Sequence, residues 1–454
     1  MNETINKNDL TEGVVWKKLL VFFLPIAAGT CIQQLYNAVD GLVVGRYVGT
    51  VALAAVGGST SQIINLLIGF FVSLTTGASV VIAQIYGAGH RDDVSRATGS
   101  AITCCALMGI VLMVFGLIAS PWMLRVLKTP EDTIPGALLY LRVYFVGEPF
   151  ILVLNMESNM LRAVGDSYSP FIYMIAGCVS NIILDLVFVI GFHWGIFGVA
   201  FATVIAQLVN MGLLTRNLLK TDKEYRLDIS KFRLNRAYLI SMVHFGVPSG
   251  LQSSMYAISN MVIQVGVNTL GTVVVASWAM TSKIDGIFWS VSNAIGAAVT
   301  TFVGQNTGAG RHDRVKTCVK QGFIIAMIFT VLLSAAIMLT AKPLLRILTT
   351  DLAVVDTTFD ILTFFVPYYF AWTIIEMISA VLHGSGDTVV PVIIIGIGIC
   401  LFRIIWVTVV FRLLGTLNIL CLSYVISWII TDVALIIHYR KGSWRRMAES
   451  RIPA

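Results

Sequence analysis

Twelve apolar segments, each long enough to cross a lipid bilayer, constrain this chain more than any other feature of its sequence. They lie at about 14–40, 50–80, 95–120, 135–160, 171–191, 195–216, 238–265, 272–302, 318–341, 356–381, 391–411 and 416–438. A helix needs about 20 apolar residues to span the hydrocarbon core of a membrane. Only 12% of the residues are charged, whereas a soluble chain carries about 25%. The sequence therefore predicts an all-α, polytopic membrane protein.

The distribution of basic residues predicts how the chain is oriented. With the N-terminus placed inside, 22 of the 31 Lys and Arg residues lie in segments on the inner side, and 8 lie in outer loops and helix ends. Lys and Arg accumulate in the cytoplasmic loops of membrane proteins. Both termini are therefore expected in the cytoplasm. Because the first thirteen residues are polar and no cleavable signal follows them, the first helix is expected to direct insertion.

A sequence motif occurs twice at a constant spacing. The run QIYGAGHRDDV at 84–94 returns as QNTGAGRHDRV at 305–315, with six of eleven positions identical, and Gly165-Asp166 returns 221 residues later as Gly386-Asp387. Such self-similarity indicates internal duplication. We read the Gly-rich runs as tight turns between helices, because neither a P-loop pattern nor a preceding strand supports a phosphate site.

Duplication predicts the domain organisation. Two repeats of six helices insert the same way up, so the two bundles should be related by a pseudo-two-fold axis along the membrane normal, as in many transporters. The expected parts are a cytoplasmic tail at 1–13, an N-terminal bundle at 14–216, a basic linker at 217–237, a C-terminal bundle at 238–438 and a basic tail at 439–454.

An aspartate interrupts the first apolar segment, which carries Asp40 near its outer end and is expected to be broken early by Pro25. A carboxylate at the centre of a membrane helix costs about 2.5–3.5 kcal/mol, so a function is its default interpretation. Tyr36 and Asn37 lie on the same helical face as Asp40. The alternative is a structural aspartate that hydrogen-bonds a neighbouring helix.

The two halves differ at this carboxylate and at a second one. The counterparts of Asp40 in the second half are Met261 or Ile263, and the counterpart of Asp185 on the fifth helix is Trp406. Duplicated halves diverge where a function resides in one of them. The N-terminal half is therefore the expected location of the functional carboxylates.

Two further polar residues are expected to join these carboxylates. Asn181 lies one turn before Asp185 on the same face, and Thr203 lies on the sixth helix. Counted from the outer loops at 1.5 Å per residue, Asp40, Asp185 and Thr203 all lie about 8–12 Å below the outer surface. Two adjacent carboxylates in a low dielectric either share a proton or, with amide and hydroxyl oxygens, hold a hard cation such as Na⁺. Both remain open.

The remaining membrane charges are harder to interpret. Asp285, Glu376 and Arg403 form a candidate polar site in the C-terminal bundle, where Glu376 and Arg403 could make a buried ion pair that is structural rather than substrate-binding. Glu148 on the fourth helix has Arg142 as its candidate partner.

The chain resembles the MATE family of multidrug and toxic compound extrusion transporters over about residues 14–440. The residues that carry the resemblance are the run YNAVDGLVVGRYVGTVALAAVG at 36–57, the repeated QxxGAG turns and LRAVGD at 161–166. The resemblance implies a cation-driven antiporter in a plasma membrane of the bacterial inner-membrane type, which exports amphipathic, often cationic compounds through a V-shaped, two-lobed bundle.

Within that family the sequence is similar to the DinF-like subgroup. The resemblance implies an ion site at Asp40, Asn181, Asp185 and Thr203, with Tyr36 beside it and a bend of the first helix at Pro25. NorM-like members carry a glutamate on the seventh helix, but the corresponding run QSSMYAISN at 252–260 contains no acid. The difference argues against a cation site of that kind in the C-terminal bundle.

Two other classes of function are less well supported. A flippase for lipid-linked glycans needs a strongly cationic cavity, yet few basic residues, among them Lys283 and Arg403, lie inside helices. A membrane enzyme is not indicated, because no HExxH or GxSxG motif occurs. We therefore expect no cofactor besides a coupling ion, H⁺ or Na⁺. The expected partners are small organic substrates and membrane lipid, not nucleic acid, for a protein that acts as a monomer.

Overall fold

A computed structural model describes residues 9–223, 225–228, 232–349 and 351–442. Within these ranges the chain forms twelve long helices and no β-strand. In chain order they are α1 (Val15–Val48), α2 (Thr50–Gly87), α3 (Arg91–Val126), α4 (Ile134–Ala163), α5 (Tyr168–Gly191), α6 (Gly195–Lys220), α7 (Arg236–Asn268), α8 (Thr272–Gly308), α9 (His312–Leu348), α10 (Leu352–Gly384), α11 (Val389–Leu414) and α12 (Leu417–Lys441).

The predicted all-α, polytopic membrane class is confirmed. Eleven of the described helices are long and apolar enough to cross a membrane. The other one, α7, is a continuous helix of 33 residues, but its apolar sequence contains Ser, Gln and Asn residues. Most helices extend several residues beyond the predicted segments. The first eight residues, parts of the linker (224 and 229–231) and most of the basic tail (443–454), to which the predictions also refer, lie outside the described residues.

Both pairs of repeated Gly-rich runs are tight turns at helix ends, as predicted. Gly89 and Gly310 have φ angles of 78° and 67°, and Gly165 and Gly386 have φ angles of 87° and 94°. In this left-handed region a side chain is strained and glycine is not. Each turn closes with backbone hydrogen bonds typical of a helix C-terminus, for example Gly165 N to Arg162 O at 2.8 Å.

The prediction that Pro25 breaks the first helix is wrong. The helix runs without interruption from Val15 to Val43, with Pro25 inside it, and Pro248 likewise lies inside α7. Proline removes one backbone hydrogen bond. Helices in membranes tolerate that loss when neighbouring groups satisfy the freed carbonyl.

The described chain packs as two compact units whose boundaries lie next to these two prolines. Unit 1 contains Leu24–Gly250, and unit 2 contains Leu10–Phe23 together with the chain from Leu251 onward. The first part of α1 therefore belongs to unit 2, and the first part of α7 belongs to unit 1. This division differs from the predicted one, which placed the boundary in the linker at 217–237.

The segment that precedes α1 is fastened to the repeated turn of unit 2. The Leu10 backbone N–H donates to the Gln305 side chain at 3.2 Å, and Asn306 Nδ2 donates to the Leu10 carbonyl at 3.3 Å. Arg314 donates to the carbonyls of Leu10 at 3.1 Å and Gly13 at 2.8 Å. The Leu10 side chain is buried, so this segment is an integral part of the unit.

The linker occupies the corresponding position in unit 1. Its Tyr225 and Leu227 side chains are buried. Ser100 of α3 donates to the Arg233 carbonyl at 2.6 Å and accepts a hydrogen bond from the Asn235 backbone N–H at 3.1 Å. The segment before α1 thus contacts the end of α8 and the start of α9 in unit 2. The linker before α7 contacts α3, the counterpart of α9, in unit 1.

Replacing Arg314 tests how much the segment at 10–13 contributes to stability. Arg314→Ala removes two charge-assisted hydrogen bonds to backbone carbonyls, and such bonds contribute about 1.5–3 kcal/mol each. We expect a lower midpoint of thermal unfolding for the purified protein in detergent. The exposed Lys320 on the same helix is the control, because Lys320→Ala removes a charge without these contacts. Equal midpoints for Arg314→Ala and wild type would contradict the expectation.

Candidate functional site

Asp40 and Asp185 lie next to each other in unit 1. Their carboxyl groups are close enough for a hydrogen bond, and Asp185 is only 1% exposed. A hydrogen bond between two carboxyl groups requires a proton on one of them. Without that proton, neither oxygen of Asp185 has a hydrogen-bond partner. One proton shared between the two carboxyls would satisfy both groups.

Asn181 and Thr203 extend this group. Asn181 is buried one helical turn before Asp185, and neither its amide oxygen nor its amide nitrogen has a partner. Thr203 is buried on α6, which packs against α5, and its hydroxyl donates to the Val199 carbonyl at 3.1 Å. That bond uses the hydroxyl proton and leaves the Thr203 oxygen available as an acceptor.

Both carboxylates are followed closely by π-helical turns. Helix α1 changes to a π-helix at Val44–Val48, four residues after Asp40, and α5 changes at Leu186–Gly191, directly after Asp185. The two π-helical turns contact each other. Such turns are rare and occur often at functional sites. In unit 2 the corresponding π-helical turn begins at Trp406, the counterpart of Asp185. The Trp406 indole donates to the Ile419 carbonyl at 2.9 Å, so this position holds a hydrogen-bonded, uncharged side chain instead of a carboxylate.

The three residues predicted near the ion site have different positions. Tyr36 lies within electrostatic reach of both Asp40 and Asp185. Asn37 is exposed and donates to Gln34 at 3.4 Å. Pro25 precedes Asp40 by fifteen residues, or about 22 Å along a helix, so it does not contact the carboxylates.

Two tyrosines on α4, which the sequence interpretation missed, complete the surroundings of the carboxylates. Tyr140 lies within electrostatic reach of Asp40 and Asp185, and its ring stacks with Tyr144 at 6.1 Å between centroids. Both pack with the apolar residues of the two π-helical turns. The i,i+4 spacing of the two tyrosines was the available signal, but tyrosine is common in membrane helices.

The predicted pairing of Glu148 with Arg142 is wrong. Glu148 is completely buried and neither of its carboxyl oxygens has a partner, whereas Arg142 is exposed. The two residues lie six positions apart on α4, which places them about 120° apart around the helix. Glu148 is therefore one of several buried acidic residues of unit 1 outside the carboxyl pair.

The predicted ion pair between Glu376 and Arg403 is also absent from the described residues. Arg403 donates to the Ser427 hydroxyl at 3.0 Å, and its guanidinium lies 3.7 Å from the centroid of the Tyr424 ring. These contacts compensate the buried charge through an aromatic face. Asp285 accepts a hydrogen bond from the Tyr369 hydroxyl.

Asp285 and Arg403 therefore have separate partners, and no ion pair joins Arg403 to Glu376 in the described part of the chain. The Tyr369 ring is fixed by stacking on Phe288, with 4.1 Å between centroids. Each of these contacts supports packing inside unit 2.

The donor set in unit 1 suits a small monovalent cation. No group of three or more His, Cys, Asp or Glu side chains with metal-binding geometry occurs in the described part of the chain. Two carboxyls, one amide and one hydroxyl are oxygen ligands for a hard cation, and the carboxyl pair by itself is sufficient for a proton.

Membrane-length helices in a duplicated arrangement, with two adjacent carboxyls inside one unit, define a membrane transporter rather than an enzyme. A family model described as MatE matches residues 25–187 and 248–436. This chain belongs to the MatE family.

Similar proteins cover nearly the whole chain. The probable multidrug resistance protein YoeA of Bacillus subtilis (strain 168) is 28% identical over 387 residues, which are 84% of this chain and 83% of that protein. The probable multidrug resistance protein YpnP of the same organism is 26% identical over 443 residues, 97% of this chain and 98% of that protein.

A solved structure shows the same fold. It is an outward-facing conformation of a multidrug resistance MATE family transporter of the MOP superfamily, similar with a TM-score of 0.89 at 22% identity over 99% of this chain and 100% of that chain. The twelve-helix fold is therefore that of MATE transporters.

Proposed function

We propose that this protein is a cation-coupled antiporter that exports amphipathic, mostly cationic organic compounds by alternating access. The adjacent Asp40 and Asp185 carboxyls, with no basic side chain bound to either in the described residues, are the observation that carries the proposal. The names of the two Bacillus subtilis relatives, both probable multidrug resistance proteins, support drugs as the exported compounds. We take the protein to work as a monomer.

The coupling follows from the cost of burying charge. Two ionised carboxylates in contact repel each other in a low dielectric, so the pair is stable with one bound cation and unstable without it. A bound organic cation and a bound coupling ion can each neutralise this charge. Exchange of one for the other is antiport, provided that the protein cannot change between its inward-facing and outward-facing states while the pair is empty.

A proton is our choice of coupling ion. The two carboxyls lie within hydrogen-bond distance of each other, an arrangement that one shared proton stabilises directly. A sodium ion would instead have to separate them and gather additional oxygens, with Asn181 and Thr203 as the candidates. Both ions would use the carboxyls of Asp40 and Asp185.

Transport under imposed gradients tests the coupling. Purified protein in liposomes that contain ethidium, a cationic dye, is given either a pH difference or a Na⁺ difference of tenfold across the membrane. We expect the pH difference alone to drive ethidium against its gradient. Liposomes in which an ionophore removes the same gradient are the control. Ethidium movement driven by Na⁺ and not by pH would contradict the choice of the proton.

A flippase for lipid-linked glycans is not favoured. Such a protein needs free buried cations for a pyrophosphate, and the buried Arg403 is already engaged by Ser427 and Tyr424. The adjacent ionisable groups in unit 1, Asp40 and Asp185, are acidic and would repel a pyrophosphate.

A further inference from the structure

A groove lies on the surface of unit 1 at the start of α7. Its volume is about 530 Å³, which falls within the range of ligand-binding clefts, about 300–1,000 Å³. The side chains of Leu234, Ile240 and Val243 in this groove are 51%, 59% and 52% exposed. The groove is therefore open in the described part of the chain. Six residues line it: Leu234, Arg236, Leu239, Ile240, Val243 and His244.

The first turns of α7 carry two different apolar faces. Met242 and Phe245 are buried and pack with other apolar residues of unit 1. The groove residues that belong to α7 lie on the other side of the helix, within an arc of about 140° at 100° per residue. A helix that is apolar on both faces has its second face against either protein or hydrocarbon. No described residue covers this second face, so it is expected to meet lipid.

A free basic side chain lies at one end of the groove. Arg236 is exposed, and no ion pair or side-chain hydrogen bond engages its guanidinium within the described residues. The linker at 217–237, which ends here, contains six Lys or Arg and three Asp or Glu residues. One acid near this part of α7, Asp93 of α3, lies beside Tyr238 on the opposite face and pairs with Arg96 at 3.5 Å. The groove itself is thus basic and contains no acid.

The order of charged and apolar residues along the groove indicates the chemistry of its occupant. The guanidinium comes first, and apolar side chains then continue to Val243, seven residues or about 10 Å further along the helix. A phospholipid presents a phosphate followed by acyl chains in the same order. Arginine binds phosphate with two parallel hydrogen bonds. A cationic amphiphile would be repelled by Arg236, and a small soluble anion would leave the apolar residues uncovered.

We propose that this groove binds one anionic phospholipid, with its phosphate on Arg236 and an acyl chain along Leu239, Ile240 and Val243. The bound lipid connects Leu234, near the end of the linker, with the first turns of α7. In the predicted orientation, this lipid belongs to the inner leaflet. The site is separate from the carboxyl pair, and it does not depend on which ion drives transport.

The start of α1 provides a matched control within the same chain. Aligning Pro25 with Pro248 pairs Ile240 of the groove with Lys17 of α1. Lys17 is also an exposed basic residue near the start of a helix, but its ammonium lies 5.6 Å from the centroid of the Trp16 ring. Lys17→Ala therefore removes a comparable charge without changing the groove.

Lipid titration of the purified, delipidated full-length protein in detergent tests the site. Native mass spectrometry gives the Kd for dioleoyl phosphatidylglycerol, which is anionic, and for dioleoyl phosphatidylcholine, which has no net charge. A hydrogen bond to a charged group contributes enough for about a tenfold change in Kd. We expect wild type and Lys17→Ala to bind one phosphatidylglycerol about tenfold more tightly than phosphatidylcholine. Arg236→Ala should bind both lipids equally.

A second variant tests the apolar part of the groove. Ile240→Ser shortens an exposed side chain, so it leaves the buried face of α7 intact. Because it removes apolar area that an acyl chain would cover, we expect the Kd for both lipids to rise about fivefold while the preference for phosphatidylglycerol remains. If Arg236→Ala cannot be purified as a folded protein, this variant decides, and a wild-type Kd for phosphatidylglycerol in Ile240→Ser overturns the proposal.

Three other results would also overturn it. The first is equal affinity of wild type for the two lipids, and the second is a preference for phosphatidylglycerol that persists in Arg236→Ala. The third is an equal loss of this preference in Lys17→Ala, because the effect would then come from surface charge in general. Millimolar inorganic phosphate should not displace the bound lipid, since complete displacement would show that the acyl chains contribute nothing.

Discussion

Replacing Asp40 or Asp185 by asparagine should abolish uphill transport while the protein remains folded. Asparagine has nearly the same shape as aspartate, but its amide N–H₂ group can donate to the remaining carboxylate in place of the shared proton. The pair then no longer needs a proton, so the exchange loses its driving force. With one proton exchanged per substrate, a tenfold proton gradient is worth about 1.4 kcal/mol and sustains a substrate gradient of about tenfold. In Asp40→Asn or Asp185→Asn liposomes, we expect the final concentration ratio of ethidium to fall to about one.

The matched control is a buried carboxyl in the other unit. Asp285 is also buried in a membrane helix, and it accepts a hydrogen bond from Tyr369, which the asparagine oxygen of Asp285→Asn can also accept. If the functional carboxylates reside in unit 1, Asp285→Asn should keep the wild-type ratio. Full retention of the ratio in both Asp40→Asn and Asp185→Asn would refute the proposed role of the pair.

A leucine in place of Gly77 should prevent unit 1 from assembling. Helices α2 and α7 cross here with their backbones in contact, because a Cβ on Gly77 would overlap the backbone of Gly246. A Cβ on Gly246 would in turn lie 2.9 Å from the Leu74 carbonyl oxygen. Small residues allow such close crossings in membranes. Overpacking typically costs about 1–3 kcal/mol, and here backbone rather than a side chain must move.

Size-exclusion chromatography and thermal unfolding in detergent measure this effect. Gly77→Leu should give little monodisperse protein and a clearly lowered midpoint. Gly212→Leu is the control, since a Cβ at Gly212 on α6 meets no atom within 4 Å and this variant adds the same side chain to the same unit. A Gly77→Leu protein as stable as Gly212→Leu would show that α2 and α7 do not need this contact.

The helix positions and the carboxyl pair could be predicted because each depends on a local or repeated property. Spanning length follows from consecutive apolar residues. The adjacency of Asp40 and Asp185 followed from the duplication, which showed where the halves differ, and from counting residues to the outer loops. These arguments need no knowledge of how side chains pack.

The remaining features depend on packing that the sequence does not reveal. Tyr140 and Tyr144 look like ordinary membrane tyrosines until α4 is placed beside α1 and α5. Arg403 looks like a partner for Glu376, yet an aromatic face and a hydroxyl satisfy it instead. Pro25 looks like a helix breaker, but its effect depends on the groups around the freed carbonyl.

The division of α1 between the two units has a consequence for biosynthesis. The segment at 10–23 is made almost 300 residues before its hydrogen-bond partners in unit 2, such as Gln305 and Asn306. Translation at about 5–20 residues per second makes this an interval of about 15–60 seconds. During that time the buried Leu10 and Phe23 have no native partners. The start of the first helix must therefore be shielded by lipid or by the insertion machinery until α8 and α9 emerge.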